Sequence, residues 1–191
     1  MSAFLEKRYK FSKYNMSLNS NSLVRNYHQH PQITAWLSDV TSDLPVAFCL
    51  RWTHACATQR RLFDEASCSR DLGYFWNSVD RMLYGDDWKT KKLKRLITLE
   101  RTDGTSWHAH GLCSAANYTT NKMKLMLSEK WLRHIKISDS NRHTHKHLVW
   151  VDEDRGDYGA YILKHIDGTR RFGNVGVIDA QNTFLGDKHE H

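Results

Sequence analysis

The four cysteines, Cys49, Cys56, Cys68 and Cys113, include no C-x-x-C pair, and a chain of 191 residues is too large to need disulfide stapling. Reduced thiols and a cytoplasmic setting are the expectation. The opening segment MSAFLEKRYKFSKYN lacks the uninterrupted apolar stretch of a secretion signal, and no later segment approaches the roughly 20 apolar residues that span a bilayer. A soluble protein with no membrane partner is expected. There is no internal repeat and no GxxxxGKS/T phosphate loop, which excludes an ATP-driven motor domain from this chain.

What is present suits one compact core: 40% of residues are hydrophobic, with seven Trp, seven Phe and eight Tyr. Lys and Arg number 28 against 21 Asp and Glu, a formal charge of +7. Such a balance attracts polyanions and puts nucleic acid first among candidate partners. Residues 1–42 are polar and irregular, with a Ser/Asn-rich patch at Ser17 to Ser22, and read as an extension ahead of a domain over 43–191.

Within that domain, Leu44 to Trp52 is a short apolar run suited to a buried strand. Leu72, Phe75, Trp76, Val79 and Leu83 recur at helical spacing after Asp71 and stop at Gly85. Leu96 to Glu100 and Trp107 to Cys113 flank RTDGTS, the turn of an antiparallel hairpin. Thr119 to His134 reads as an amphipathic helix with Met123, Met126, Leu127 and Trp131 on one side. Leu148 to Val151 is a strand, Asp157 to Ile166 a helix ending at Asp167-Gly168, and Val175 to Ile178 a last strand. The order β-α-β-β-α-β-α-β predicts an α+β domain with a mainly antiparallel five-stranded sheet and flanking helices.

Side chains alternate along a strand, so His108 and His110 in WHAHG project from one face. They can share a cation, and the hairpin can bring Glu100 to the same place. Two imidazoles and a carboxylate suit a divalent metal with open coordination positions. Alternating histidines also occur at His28 and His30, at His143, His145 and His147, and at His189 and His191, in a chain with 12 His. The spacing is therefore weak by itself. The trio ending at His147 reads as a polar strand entry with no carboxylate before Asp152, suited to phosphate or solvent. On the late helix, Tyr158, Tyr161 and Lys164 fall one turn apart. A phenol near a metal-bound phosphate can act as a nucleophile, and an ammonium beside it adds positive charge. Lys89, Lys91, Lys92, Lys94 and Arg95 form the densest basic run.

A Glu at a strand end, H-x-H on the next strand and Y-x-x-K on a late helix together resemble the HUH endonuclease superfamily, in the order used by rolling-circle replication initiators of phages and plasmids. The resemblance runs from about Pro45 to Val177 and is strongest in ITLERTDGTSWHAHGL and YGAYILKHI; Arg170-Arg171-Phe172-Gly173 is also similar to a stretch in such initiators. It implies an RRM-like Rep nuclease fold, with His108, His110 and Glu100 at a Mg2+ or Mn2+ ion. Tyr161 would be the nucleophile, with Lys164 assisting. Tyr158 would be either a second nucleophile or a packing and base-stacking residue, since paired tyrosines in the family usually stand four positions apart rather than three. Arg170, Arg171, Lys92 and Lys94 are the expected DNA contacts. The implied activity is metal-dependent nicking of single-stranded or locally melted origin DNA through a 5′-phosphotyrosyl intermediate, in a bacterial or archaeal host whose helicase and polymerase continue replication. The alternatives are a transposase or relaxase of the same superfamily, and a non-catalytic single-stranded nucleic-acid-binding module.

Overall fold

The computed structural model describes residues 36, 39–62, 64–101, 107–138, 141, 145, 147–154, 158–159 and 175–186. Strand β1 (Val46–Arg51) leads through helix α1 (His54–Gln59) into the long helix α2 (Glu65–Tyr84), which runs on into a 3-10 turn (Gly85–Lys89). Strands β2 (Arg95–Arg101) and β3 (His108–Cys113), helix α3 (Thr120–His134), and strands β4 (Val149–Glu153) and β5 (Val175–Ile178) follow. They form a five-stranded sheet of order β4-β1-β3-β2-β5 in which every neighbouring pair is antiparallel. The fold is α+β, as the order of elements predicts. Among the described residues no helix is long and apolar enough to cross a membrane.

The period of two divides the sheet into faces with different tasks. Val46, Phe48 and Leu50 of β1, Ile97 and Leu99 of β2, and Ala109 and Cys113 of β3 turn to the larger core. There they meet Leu72, Phe75, Trp76 and Val79 of α2 and Met123, Leu127 and Trp131 of α3. Aromatic rings fill much of the space: Phe75 meets Trp76 at 5.0 Å and Trp131 at 5.1 Å between centroids, and Phe48 meets Trp76 at 5.3 Å. The other face carries a small apolar cluster of Leu44, Ala47, Leu96 and Leu112, against which Trp36, Val40 and Tyr158 pack. Trp36 and Val40 lie inside the stretch read as an extension, so that stretch contributes packing to the domain.

Helix α2 starts at Glu65, ahead of the Asp71 expected from apolar spacing. Asp64 caps it: its side chain accepts from the Ser67 amide at 2.7 Å, and Ser67 Oγ accepts from the Asp64 amide. The first turns bury Cys68 and Ser69 in place of large apolar residues, so periodicity alone passed over them. Asp71 instead ties elements together. Its carboxylate accepts from Trp52 Nε1 at 2.8 Å, Arg60 Nη1 at 2.5 Å and His134 Nε2 at 2.9 Å. These bonds join the residue after β1, the end of α1, the middle of α2 and the last turn of α3.

Burial pushes the Asp71 carboxyl up, but the hydrogen bonds from His134, Trp52 and Arg60 outweigh it and hold the group below its ordinary value. A depressed folded-state pKa contributes stability that is present above the unfolded carboxylate value and is lost as pH falls through the folded one. The Asp71→Asn variant is expected to be less stable at neutral pH and to show a flatter loss of stability on acidification, as read by urea unfolding across the acid range.

Candidate metal centre

Register places the donors. Glu100 on β2 stands directly opposite His108 on β3, and Thr98 stands opposite His110. On the other side of β3, His108 faces Arg51 and His110 faces Cys49 of β1. Two transverse rows cross this face of the sheet: Arg51, His108, Glu100 and Gly176, then Trp150, Cys49, His110, Thr98 and Ile178.

The Glu100 carboxylate sits between the imidazoles. Its Oε2 is 3.5 Å from His108 Nε2 and 3.4 Å from His110 Nε2, and the two rings stand nearly edge to face with centroids 4.8 Å apart. Glu100 is 3% exposed, His108 9% and His110 4%. A carboxyl group this deeply buried is either neutral or compensated by a positive charge, and a bound cation would supply that charge. Among the described residues these three form the one group of three His, Cys, Asp or Glu side chains whose donor atoms all lie within 4.8 Å of one another. Donors about 2.1 Å from a shared ion lie about 3 Å apart at right angles and about 3.4 Å apart at tetrahedral angles, so the group can hold a metal ion. Cys49 Sγ is 4.0 Å from His110 Nε2, and burial pushes its thiol up.

His110 has a partner behind it. Its Nδ1 lies 2.8 Å from the Tyr158 hydroxyl, which in turn donates to the Phe48 carbonyl at 2.9 Å. Tyr158 thus reaches the centre from a segment far along the chain, and its ring lies 5.2 Å from that of Trp150. Trp150 is 44% exposed. Tyr161, Lys164, Arg170 and Arg171 lie outside the described residues.

The other sequence candidates are placed elsewhere. Lys92 and Lys94 precede β2, whereas Glu100 lies near its far end, about 20 Å along the strand from Lys94 at about 3.4 Å per residue. Lys94 pairs with Asp43, and Lys92 Nζ is 3.7 Å from the Asp80 carboxylate. Arg95, read as part of the same basic run, is buried and donates to both Asp80 oxygens at 2.9 and 3.1 Å. Arg95 is thus the buried member of the run, while Lys91 and Lys94 form ion pairs at the surface. His145 and His147 lie in 3-10 conformation ahead of β4 rather than on a strand, and His145 Nδ1 donates to the Asn141 carbonyl. His54 opens α1, exposed.

Arg51 is a residue the sequence reading missed. Exposed at the end of β1, it stands in register with His108 and on the same face. The only signal in the sequence is a cation closing an apolar run, and its meaning depends on which strand becomes the neighbour. Comparison with family models, with curated proteins and with solved structures gave no match.

Gly111 explains why the histidine strand can lie so close to its neighbours. A Cβ there would run into the Phe48 ring and the Leu96 carbonyl oxygen, with Phe48 Cε1 at 2.9 Å. Gly111→Ala is expected to cost about 1–3 kcal/mol by overpacking, measured by chemical denaturation. Replacing His110 by Ala is expected to weaken Mn2+ binding by more than about 100-fold, beyond the 10–100-fold typical of losing an outer partner. Titration calorimetry on the folded variant would test this.

Proposed function

We propose that the protein is a site-specific single-stranded DNA endonuclease and strand transferase that nicks a replication origin to start rolling-circle replication, with the chemistry of the HUH initiators its sequence resembles. The observation that carries this reading is the meeting of Glu100, His108 and His110 with the tyrosine segment, through the Tyr158 hydroxyl on His110. Tyr161 follows Tyr158 by three residues, and three residues of chain extend at most about 11 Å. That reach supports Tyr161 as a nucleophile serving the same centre.

Glu100, His108 and His110 would hold Mg2+ or Mn2+, which when bound polarises a scissile phosphate and stabilises charge building on its oxygens. Tyr161 Oη gives up its proton and forms the new bond to phosphorus as the bond from phosphorus to O3′ breaks. The departing oxygen takes up a proton as a free 3′-hydroxyl, and the 5′-phosphate stays on the tyrosine. Because the energy of the broken ester is kept in the phosphotyrosyl bond, rejoining needs no ATP. The 3′-hydroxyl can prime synthesis by a host polymerase, with a host helicase opening the duplex. Lys164 adds positive charge at the reacting phosphate. Arg51, beside His108, is suited to hold a neighbouring phosphate, and the resemblance gives Arg170 and Arg171 further phosphate contacts. The exposed Trp150 ring offers a face on which a base can stack.

With labelled single-stranded origin DNA and Mn2+, the wild-type chain is expected to form a denaturation-resistant adduct. Tyr161→Phe should lower its formation by at least about three orders of magnitude. An adduct that persists in that variant reassigns the nucleophile, and wild-type binding that survives EDTA with no cleavage of any single strand favours a binding module.

A further inference from the structure

We infer that Tyr158 is a positioning residue, whose phenol oxygen holds His110 in the tautomer that presents Nε2 to the metal centre. The inference rests on the reading of Glu100, His108 and His110 as metal donors. A phenol has one hydrogen, and here it is donated to the Phe48 carbonyl at 2.9 Å. The same oxygen, 2.8 Å from His110 Nδ1, must therefore accept, so the imidazole proton sits on Nδ1. A neutral imidazole has one N–H, which leaves Nε2 with the lone pair. That nitrogen lies 3.4 Å from Glu100 Oε2.

The phenol is itself held on several sides. The Tyr158 amide donates to Asp154 Oδ1 at 3.3 Å, the ring packs on the Leu44, Ala47, Leu96 and Leu112 cluster, and Trp150 covers another edge. Phe48 belongs to β1, which pairs directly with the histidine strand, so the orienting carbonyl and the oriented imidazole share one rigid sheet. Outer partners of this kind set the tautomer and ring angle of a ligating histidine. The same geometry separates Tyr158 from the attacking role. Its oxygen lies on the Nδ1 side of the ring, away from Glu100, and its proton is engaged by a main-chain carbonyl.

The test uses the full chain with 15N-labelled histidine and no DNA. Long-range 1H–15N correlation on the metal-free wild type, at a pH where His110 is neutral, should show the proton on Nδ1. In Tyr158→Phe the preference should be lost, and Mn2+ binding by calorimetry should weaken about 10–100-fold. Saturating Mn2+ should then restore DNA adduct formation by that variant. A wild-type His110 carrying its proton on Nε2 overturns the inference whether or not the variant folds. So does a Tyr158→Phe protein with unchanged tautomer and unchanged Mn2+ affinity, and one that binds Mn2+ normally yet forms no adduct makes Tyr158 a nucleophile. If the wild type shows the Nδ1–H tautomer but never cleaves DNA, the nuclease reading fails while the positioning role stands.

Discussion

A carboxylate buried between two imidazoles is the constraint on which the rest of this molecule turns. Glu100 can lie at 3.4 and 3.5 Å from His110 and His108 only if β2 and β3 pair in one register. A slip of β3 by one residue would turn both histidines to the opposite face and leave Glu100 without them. The apolar residues police that register, because the same slip would drive Ala109 and Cys113 out of the larger core. Core packing and the grouping of Glu100, His108 and His110 thus depend on one strand alignment. Gly111 tightens the coupling, since its missing side chain leaves the space that the Phe48 ring occupies against the histidine strand.

The sheet gives one face to the larger core and part of the other to the Glu100, His108 and His110 group. Helices α2 and α3 cover the first with Trp76, Phe75 and Trp131, and Asp71 pins the ends of three elements together behind Arg51. Trp131 Nε1 also donates to the Arg51 carbonyl at 3.1 Å. The end of β1 is therefore fixed from the core side, while its last side chain faces the histidines. On the second face an apolar patch and a polar one lie side by side, and Tyr158 spans them, packed against the Leu44, Ala47, Leu96 and Leu112 cluster with its hydroxyl on His110. A residue that bridges the two patches can transmit packing rigidity to the imidazole.

The parts of this arrangement legible in the sequence were those set by short-range periodicity. His108 and His110 share a face because strands alternate, and Glu100 returns to them because RTDGTS reads as a hairpin turn; neither step needs knowledge of the remaining chain. The strand order was not legible in the same way, since β1 inserts between β3 and β4 through contacts far apart in sequence. Arg51 and Cys49 acquire their place beside the histidines only from that pairing. The start of α2 escaped notice because Cys68 and Ser69 are small and a polar Asp64 supplies the cap. Tyr158 was visible as a tyrosine near a suspected nucleophile, but its spacing carries no information on where its hydroxyl points.

Charge shows most clearly why composition is a poor map of function. The +7 balance points toward a polyanion, yet four members of the densest basic run already have acidic partners: Arg95 is buried on Asp80, Lys92 approaches the same carboxylate, Lys91 meets Asp87 at 2.6 Å and Lys94 meets Asp43. Asp80 is fully buried and also accepts from the Leu93 amide, so Arg95 answers a structural need before any ligand arrives. An exposed pair such as Lys91 with Asp87 contributes little to stability and stays available to a phosphate that competes for it. Arg51 differs in kind: it is one cation, exposed, and aligned in register with His108 of the buried Glu and His group. The position of a single guanidinium relative to that group is set by strand pairing, which the count of basic residues does not reveal.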